Sequence, residues 1–294
     1  MTATALTPTE IEARRQRRRV MWSQPIVYLV ALALVAVTIA PVVYVVLGGF
    51  RTNLQITAEP TGFPDPWILR NYAEVLTSGR FWGQVMTSSI AAFGTTFGVV
   101  AFGVMAAYVI ARYDFKGRQL MYSLFIAGLL FPLTIAVLPL TIMLRDLGWF
   151  GSVWGLIVPQ VAFALPVTVI ILVPFLRAIP AELEDAAAID GASRIGFFWR
   201  ILLPLAGPGL VTVGVLAFVG SWNAYLLPLF VLGAGGASVD NYTLPLGVQQ
   251  FSTQYSANTA GVLAFTSLAM LPALVFFLAM QRRIVSGLQG AVKG

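Results

Sequence analysis

The sequence contains neither cysteine nor histidine. Without cysteine it cannot form disulfides or supply a thiolate nucleophile, and without histidine it has no imidazole base and no Cys/His metal cage. Its two lysines, Lys116 and Lys293, both lie outside any glycine-rich phosphate-binding loop that ends in Gly-Lys-Ser/Thr. These absences exclude nucleotide hydrolysis by that route, together with thiolate, imidazole and Cys/His metal chemistry. We therefore expect no catalytic residues, no metal site and no bound cofactor in this chain.

Charged residues are also scarce. Only 10% of the 294 residues are charged, 58% are hydrophobic, and the mean hydropathy is +0.84, which is far more apolar than a soluble domain. A helix needs about 20 apolar residues to cross about 30 Å of hydrocarbon. Six runs without an acidic residue reach this length: 26–49, 85–111, 120–144, 153–176, 209–232 and 258–280. Because lipid cannot satisfy backbone polar groups, the sequence predicts an all-α polytopic membrane protein with six transmembrane helices.

The distribution of positive charge predicts the orientation of these helices. With the N-terminus in the cytoplasm, 14 of the 18 Lys and Arg residues fall on the cytoplasmic side, as the positive-inside rule requires. The prediction is a cytoplasmic basic tail at 1–25, a six-span domain at 26–281 and a cytoplasmic tail at 282–294. The cluster Arg14–Arg19 then faces anionic membrane lipid, so the net charge of +6 calls for no nucleic-acid partner.

The loop between the fourth and fifth spans, residues 177–205, differs from its surroundings. Four of the twelve acidic residues fall within nine positions of it: Glu182, Glu184, Asp185 and Asp190. Lipid cannot hold such a segment, which therefore lies in water or against another protein. Gly191 permits the positive φ that ends a helix, and Ser193 can cap a second helix that stops at Pro204. The sequence predicts a cytoplasmic helical hairpin here.

Several features indicate polar or kinked regions within the membrane. Trp222, Asn223 and Tyr225 lie at depth in an otherwise apolar run. A buried amide needs a hydrogen-bond partner, so these residues either make interhelical hydrogen bonds or line a polar substrate pathway. Gly94 and Gly98 form a small-xxx-small pair that favours close helix packing. Spans three and four contain five prolines, which kink helices: Pro132, Pro139, Pro159, Pro166 and Pro174.

The hairpin sequence ELEDAAAIDGASRIGFFWRILLPLAGP resembles the EAA loop of permease subunits of ATP-binding-cassette importers. The family pattern is Glu-Ala-Ala, three residues, Gly, nine residues, Ile, one residue and Leu-Pro. This chain matches it at Asp185, Ala186, Ala187, Gly191, Ile201, Leu203 and Pro204. Its leading acid is Asp, where the family usually has the longer Glu. The resemblance implies a coupling helix that docks on separate ATP-hydrolysing subunits, which bind the ATP, through Asp185, Ala186, Ala187, Asp190, Gly191, Ile201 and Pro204.

Three further segments are similar to the carbohydrate-uptake branch of these permeases, the MalG-like subunits: NYAEVL, SWNAYLLPL and the C-terminal QRRIVSGLQGAVKG. Ala224 stands where that branch often has an acidic residue. The resemblance implies four kinds of partner: a second, MalF-like permease, two ATP-hydrolysing subunits, an extracytoplasmic solute-binding protein, and a sugar or oligosaccharide as substrate. It also implies a location in the bacterial cytoplasmic membrane.

Three alternatives remain at this stage. An ion-coupled secondary carrier usually needs an intramembrane carboxylate, and none lies within the six runs. An intramembrane enzyme would need histidine, cysteine or a buried acid, which the runs lack. An importer of a non-sugar solute, such as a glycerol-phosphate compound, uses similar subunits, so the sugar rests on the resemblance alone.

Overall fold

The computed structural model describes residues 25–251 and 258–292, and the side chains of residues 25, 27–251 and 258–281. Within these ranges every regular element is helical. The helices used below are α1 (Pro25–Gly48), α2 (Asn53–Ala58), α3 (Arg70–Thr77), α4 (Gly79–Arg112), α5 (Arg118–Gly128), α6 (Leu133–Asp146), α7 (Trp154–Arg177), α8 (Glu182–Ile189), α9 (Arg194–Leu205), α10 (Gly207–Trp222) and α11 (Thr259–Val292). Short helical turns lie between α10 and α11, at Leu226–Pro228, Leu229–Gly233, Val239–Asn241, Leu244–Gly247 and Val248–Phe251.

Four of these helices are long and apolar enough to cross a membrane: α1, α4, α7 and the Thr259–Gln281 part of α11. Two further pairs qualify only when joined across a bend, α5 with α6 at 100° and α9 with α10 at 75°. The described residues therefore hold four continuous candidate spans, and six if each bent pair counts as one. This confirms the predicted all-α polytopic membrane fold, while the count of six and the domain boundaries stay predictions.

The predicted span 120–144 is broken in the structure. Helix α5 ends at Gly128, and α6 begins at Leu133 in a different direction. Pro132 explains the break, because it has no N–H to donate and disfavours a helical conformation in the residue before it. A hydropathy scan counts both halves as one apolar run, so it cannot detect the bend.

The predicted span 209–232 is also interrupted, at the end of α10. Asn223 has φ −88° and ψ 0°, and its side-chain Nδ2 donates to the carbonyl of Val219 at 3.0 Å. Such local side-chain bonds to the backbone compete with helix continuation. The chain resumes only as short helical turns from Leu226 to Gly233.

Helices α4, α7 and α10 form the centre of the bundle. A Cβ atom at Gly94 would lie 2.7 Å from Cδ1 of Ile157, and one at Gly98 would lie 2.6 Å from Cγ2 of Val161. Both distances are far inside van der Waals contact. The close packing predicted from this glycine pair is therefore confirmed, and it brings α4 against α7.

The end of the bundle formed by Gly49–Thr77 and the 239–251 turns, here called the outer end, is fastened by hydrogen bonds. Arg51 is 2% exposed, and its guanidinium donates to the backbone carbonyls of Gln55, Glu59 and Pro60. Asn71 Nδ2 donates to the carbonyls of Gly49 at 2.9 Å and Arg51 at 2.8 Å. These bonds tie the first connecting segment into one unit.

The second connecting segment at the outer end is tied to α4. Gln84 is fully buried, and its Nε2 donates to the carbonyl of Val239 at 2.9 Å. Ser88 Oγ accepts a hydrogen bond from the backbone N–H of Leu244 at 2.8 Å. The turns between α10 and α11 therefore reach into the bundle and are held there by polar side chains of α4.

Candidate functional site

The hairpin formed by α8 and α9 lies at the opposite end of the bundle. Gly191 has φ +80°, and the backbone N–H groups of Gly191 and Ala192 donate to the carbonyls of Ala188 and Ala187 at 3.1 and 2.9 Å. This is a Schellman motif, which ends α8 as the glycine predicts. Ser193 Oγ accepts from the N–H of Gly196 at 3.1 Å, so the predicted cap of α9 is confirmed.

Helix α9 differs from the prediction at its far end. It contains a π-helical turn at Phe198–Leu202 and continues through Pro204 to Leu205, one residue beyond the predicted stop. The proline follows the π-turn directly. Because a π-turn already shifts the backbone hydrogen bonds from i→i−4 to i→i−5, the missing N–H of Pro204 is accommodated without ending the helix.

The inner face of the hairpin packs within this chain. Ala187 is 5% exposed, and it shares a buried cluster with Phe197, Phe198, Leu202 and Leu176. The side chain of Ala187 therefore packs α8 against the bundle and is not exposed to a partner protein. Ala186, its neighbour in the EAA-type pattern, is exposed.

The face of the hairpin that points away from the bundle carries large apolar side chains that the sequence analysis did not identify. Ile189 is 87% exposed, Ile195 72% and Trp199 61%. The signal was available, because these are bulky apolar residues in the one segment that lipid cannot hold. The predicted docking residues Asp185, Ala186, Asp190, Gly191 and Pro204 are exposed beside them, while Ile201 is half-buried.

The acidic residues of the hairpin have no cationic partner in the described part of the chain. The three ion pairs there join Arg70 to Glu74, Arg80 to Asp240 and Arg118 to Asp114. Glu182, Glu184, Asp185 and Asp190 take part in none of them. Their negative charge therefore stays available next to the exposed apolar side chains.

Aromatic and cationic contacts attach the hairpin to the end of α4. Arg112 Nη2 donates to the carbonyl of Ile179 at 2.7 Å. The guanidinium of Arg194 lies 5.0 Å from the ring centre of Tyr113, and the rings of Tyr108 and Phe198 are 5.1 Å apart. The hairpin and the end of α4 are therefore in direct contact.

The three residues proposed for the substrate pathway have separate surroundings. Trp222 is 3% exposed; its Nε1 donates to the carbonyl of Ala269 at 3.3 Å, and its ring stacks on Phe218 at 5.7 Å. Asn223 is exposed and bonds within its own helix, as described above. Tyr225 is 43% exposed, and its hydroxyl accepts from Gln249 Nε2 at 2.7 Å. Trp222 thus makes the interhelical bond, and of the three only Tyr225 lines an open space within the bundle.

That space is a crevice of about 370 Å³ between α4, α7 and α10. Its polar lining comes from Thr95, Gln160 and Ser221, one residue from each helix, with Tyr225 at the break after α10. Thr95 Oγ1 donates to Gln160 Oε1 at 3.1 Å. Gln160 Nε2 and Ser221 Oγ are buried, and neither has a hydrogen-bond partner in the described part of the chain. Each such group costs about 1–3 kcal/mol, so the bundle carries two unmet polar groups at one place.

Comparison with known proteins places these features in a family. Residues 99–289 match the family model described as "Binding-protein-dependent transport system inner membrane component". The chain is 34% identical over 250 residues to the diacetylchitobiose uptake system permease protein of Streptomyces coelicolor, covering 84% of this chain and 82% of that protein. It is 37% identical over 227 residues to the trehalose transport system permease protein of Mycobacterium tuberculosis, covering 76% and 81%.

A solved structure shares the fold. A chain of a bacterial ABC transporter involved in the import of the acidic polysaccharide alginate superposes with a TM-score of 0.72 at 19% identity, covering 89% of this chain and 97% of that one. At this identity the likeness concerns the fold alone. Because the family model and the relatives span most of the sequence, the chain belongs to the binding-protein-dependent transport inner-membrane components, the multi-pass permease subunits of ABC importers, which are transport proteins and not enzymes.

Proposed function

We propose that this chain imports a sugar or oligosaccharide as one of two permeases, powered by two ATP-hydrolysing subunits and supplied by an extracytoplasmic binding protein. The relatives support the class of solute. Their names specify diacetylchitobiose, trehalose and sulfoquinovosyl glycerol, and the last, from Agrobacterium fabrum, is 32% identical over 92% of this chain. All three are glycosides with many hydroxyl groups.

The hairpin surface is the observation that carries this proposal. Ile189, Ile195 and Trp199 expose apolar side chains in a segment that lipid cannot hold, and exposed apolar surface on a water-facing segment marks protein interfaces. Unpaired carboxylates beside them suit a partner with basic residues. We assign docking on the ATP-hydrolysing subunit to these three residues together with Asp185, Ala186, Asp190, Gly191, Ile201 and Pro204, and we assign to Ala187 the seating of α8.

The distribution of basic residues supports a cytoplasmic hairpin. Six of them lie at the hairpin end of the helices: Arg112, Lys116, Arg118, Arg177, Arg194 and Arg200. Positive charge gathers on the cytoplasmic side of bacterial membrane proteins. With the hairpin there, both termini are cytoplasmic, and the outer end faces the binding protein.

Purification from native membranes tests the proposal directly. The full chain, carrying a C-terminal affinity tag, should bring down an ATP-hydrolysing subunit and a second permease. The reconstituted complex should accumulate trehalose or diacetylchitobiose only when ATP is present on the hairpin side. An ion-coupled carrier would instead transport on an ion gradient alone and copurify without an ATPase.

The substitution Ile189→Asp isolates the role of the hairpin. Loss of an interface anchor costs about 2 kcal/mol or more, so the recovered ATPase should fall about thirtyfold while the variant inserts normally. Leu54→Asp is the matched control, because Leu54 is 77% exposed but lies at the outer end. Equal ATPase recovery from both variants would remove the hairpin from the docking surface.

A further inference from the structure

Two interruptions of helical structure meet at the crevice. Leu133, the first residue of α6 after the 100° bend, lines it, and so do Ala224–Leu227, the residues that follow the end of α10. Irregular backbone at membrane depth is tolerated only when it is buried in protein or lines a water-filled cavity. In transporters, discontinuous helices of this kind commonly mark the solute site.

The unpartnered polar atoms point into the same region. Thr95 and Gln160 bond each other across α4 and α7, which leaves the Gln160 Nε2 as a free donor. Ser221 supplies a hydroxyl that can donate or accept and does neither with the residues that the structure describes. Buried groups left unmet in a native fold call for an explanation such as a ligand, and hydroxyl groups of a solute match both.

The remaining lining defines the kind of solute. Phe163 and Tyr225 offer flat aromatic surfaces, which suit the C–H face of a sugar ring, and no lining residue carries a charge. Burying an ion here without a counter-charge would be costly. The volume of about 370 Å³ lies at the lower end of the about 300–1,000 Å³ that small-molecule sites occupy.

We propose that this crevice is a solute subsite contributed by this subunit, specific for an uncharged compound with many hydroxyl groups. Gln160 and Ser221 bind hydroxyl groups, Thr95 holds the amide of Gln160, and Tyr225 packs against the sugar ring. The inference rests on the proposed import function and narrows it, because it excludes phosphorylated or carboxylated solutes at this position. Side chains of the second permease are the competing occupant.

Cysteine chemistry can test the subsite, because the chain has no native cysteine. Ser221→Cys replaces one small polar atom by a reactive one. The assembled importer is treated with a membrane-impermeant methanethiosulfonate reagent, and modification is read as the mass shift of this chain. Thr212→Cys is the matched control, since Thr212 lies on the same helix α10 but outside the crevice. Labelling rates are compared without solute and with trehalose, diacetylchitobiose or glycerol 3-phosphate.

The expected result is that Ser221→Cys reacts and that trehalose or diacetylchitobiose protects it. Protection should reach about tenfold when the sugar is present at about ten times its Kd, by mass action, and Thr212→Cys should show none. Lack of reaction in the assembled complex would show that the second permease fills the crevice and would overturn the proposal. Reaction without protection by either sugar, or protection by glycerol 3-phosphate, would also overturn it. ATP-driven sugar uptake by the unsubstituted importer, purified in the same way, shows separately whether the import function holds.

Discussion

The two ends of the bundle are fastened by different kinds of interaction. At the outer end, buried polar side chains such as Arg51 and Gln84 bond to backbone carbonyls of the connecting segments. At the hairpin end, Ala187, Phe197 and Phe198 pack in a buried apolar cluster, a guanidinium hydrogen bond joins Arg112 to the carbonyl of Ile179, and the hairpin carboxylates form no ion pair among the described residues. The outer end therefore holds more buried directional bonds than the hairpin end.

This difference is consistent with the docking role proposed for the hairpin. A segment that docks on an ATP-hydrolysing subunit must tolerate small displacements of that subunit. Apolar contacts allow this because they are less directional than hydrogen bonds to charged groups. Under the same proposal, the outer end keeps its shape while the neighbouring helices move. Substitutions at the outer end should therefore change stability, and those on the hairpin should change docking.

The largest expected effect is at Arg51. Arg51→Met removes a buried cation and leaves three carbonyls without their donor, so it should lower the free energy of unfolding by about 3 kcal/mol. Thermal unfolding of the purified importer in detergent measures this. Arg70→Met is the matched control, because Arg70 forms an exposed i,i+4 ion pair with Glu74, whose loss should cost less than about 0.5 kcal/mol. Similar losses for both variants would contradict the comparison between the ends.

Substitution of Gly191 should give the next largest effect, and this effect should be on docking of the ATPase. A β-branched side chain at φ +80° costs about 2 kcal/mol, so Gly191→Val should distort the hairpin and reduce ATPase recovery about tenfold or more. Asparagine tolerates this conformation, and a Cβ here would point into open space. Gly191→Asn should therefore keep the ATPase. If Gly191→Asn also loses it, the partner's backbone approaches this glycine closely.

The crevice lies between the two ends. Substitutions in it should change transport while leaving stability nearly unchanged. The double substitution Thr95→Val with Gln160→Leu removes both partners of one hydrogen bond together with an unmet polar atom. Such replacements are nearly neutral or stabilising, whereas the rate of sugar uptake should fall about tenfold through the lost hydroxyl contacts. Unfolding and uptake are measured on the same preparation. Unchanged uptake would assign the pair to packing.

The smallest effect concerns Tyr72 at the outer end. Its hydroxyl bonds to the carbonyl of Val46 and to Ser267 Oγ, each at 2.8 Å, and burial raises the pKa of Tyr72 above its ordinary value. Because the folded pKa is raised, the stabilisation is complete below the unfolded value of about pH 10 and is lost as pH rises above it. Tyr72→Phe should cost about 1 kcal/mol at neutral pH and should weaken the loss of stability above about pH 10. A pH series of unfolding curves tests both.

Much of the hairpin could be predicted from the sequence, because its signals are local. A glycine after an acid and a serine two residues later specify the turn and cap regardless of the rest of the fold. The choice between Ala186 and Ala187 as the exposed residue could not be predicted, since both are alanine and only the packing of α8 decides which faces the bundle.

The breaks in α5–α6 and after α10 were hidden for a different reason. Mean hydropathy is the same whether an apolar run is straight or bent. Pro132 is one of five prolines predicted to kink spans three and four, but the other four lie inside continuous helices, so only the backbone geometry shows that Pro132 and Asn223 mark the breaks. The crevice is less predictable still. Thr95, Gln160 and Ser221 are separated by 65 and 61 positions in sequence, and only the packing of three helices brings them together.

The 75° junction between α9 and α10, with Ala206 buried at its corner, has a mechanical consequence. Because α9 projects at 75° from the start of α10, a sideways force on α9 rotates α10 about its own axis. Helix α9 carries the exposed Trp199, and Ser221 is the penultimate residue of α10. We expect a push from the ATPase to swing the hydroxyl of Ser221 across the mouth of the crevice. A rotation of one helix would then change what the solute meets, while the outer end stays still.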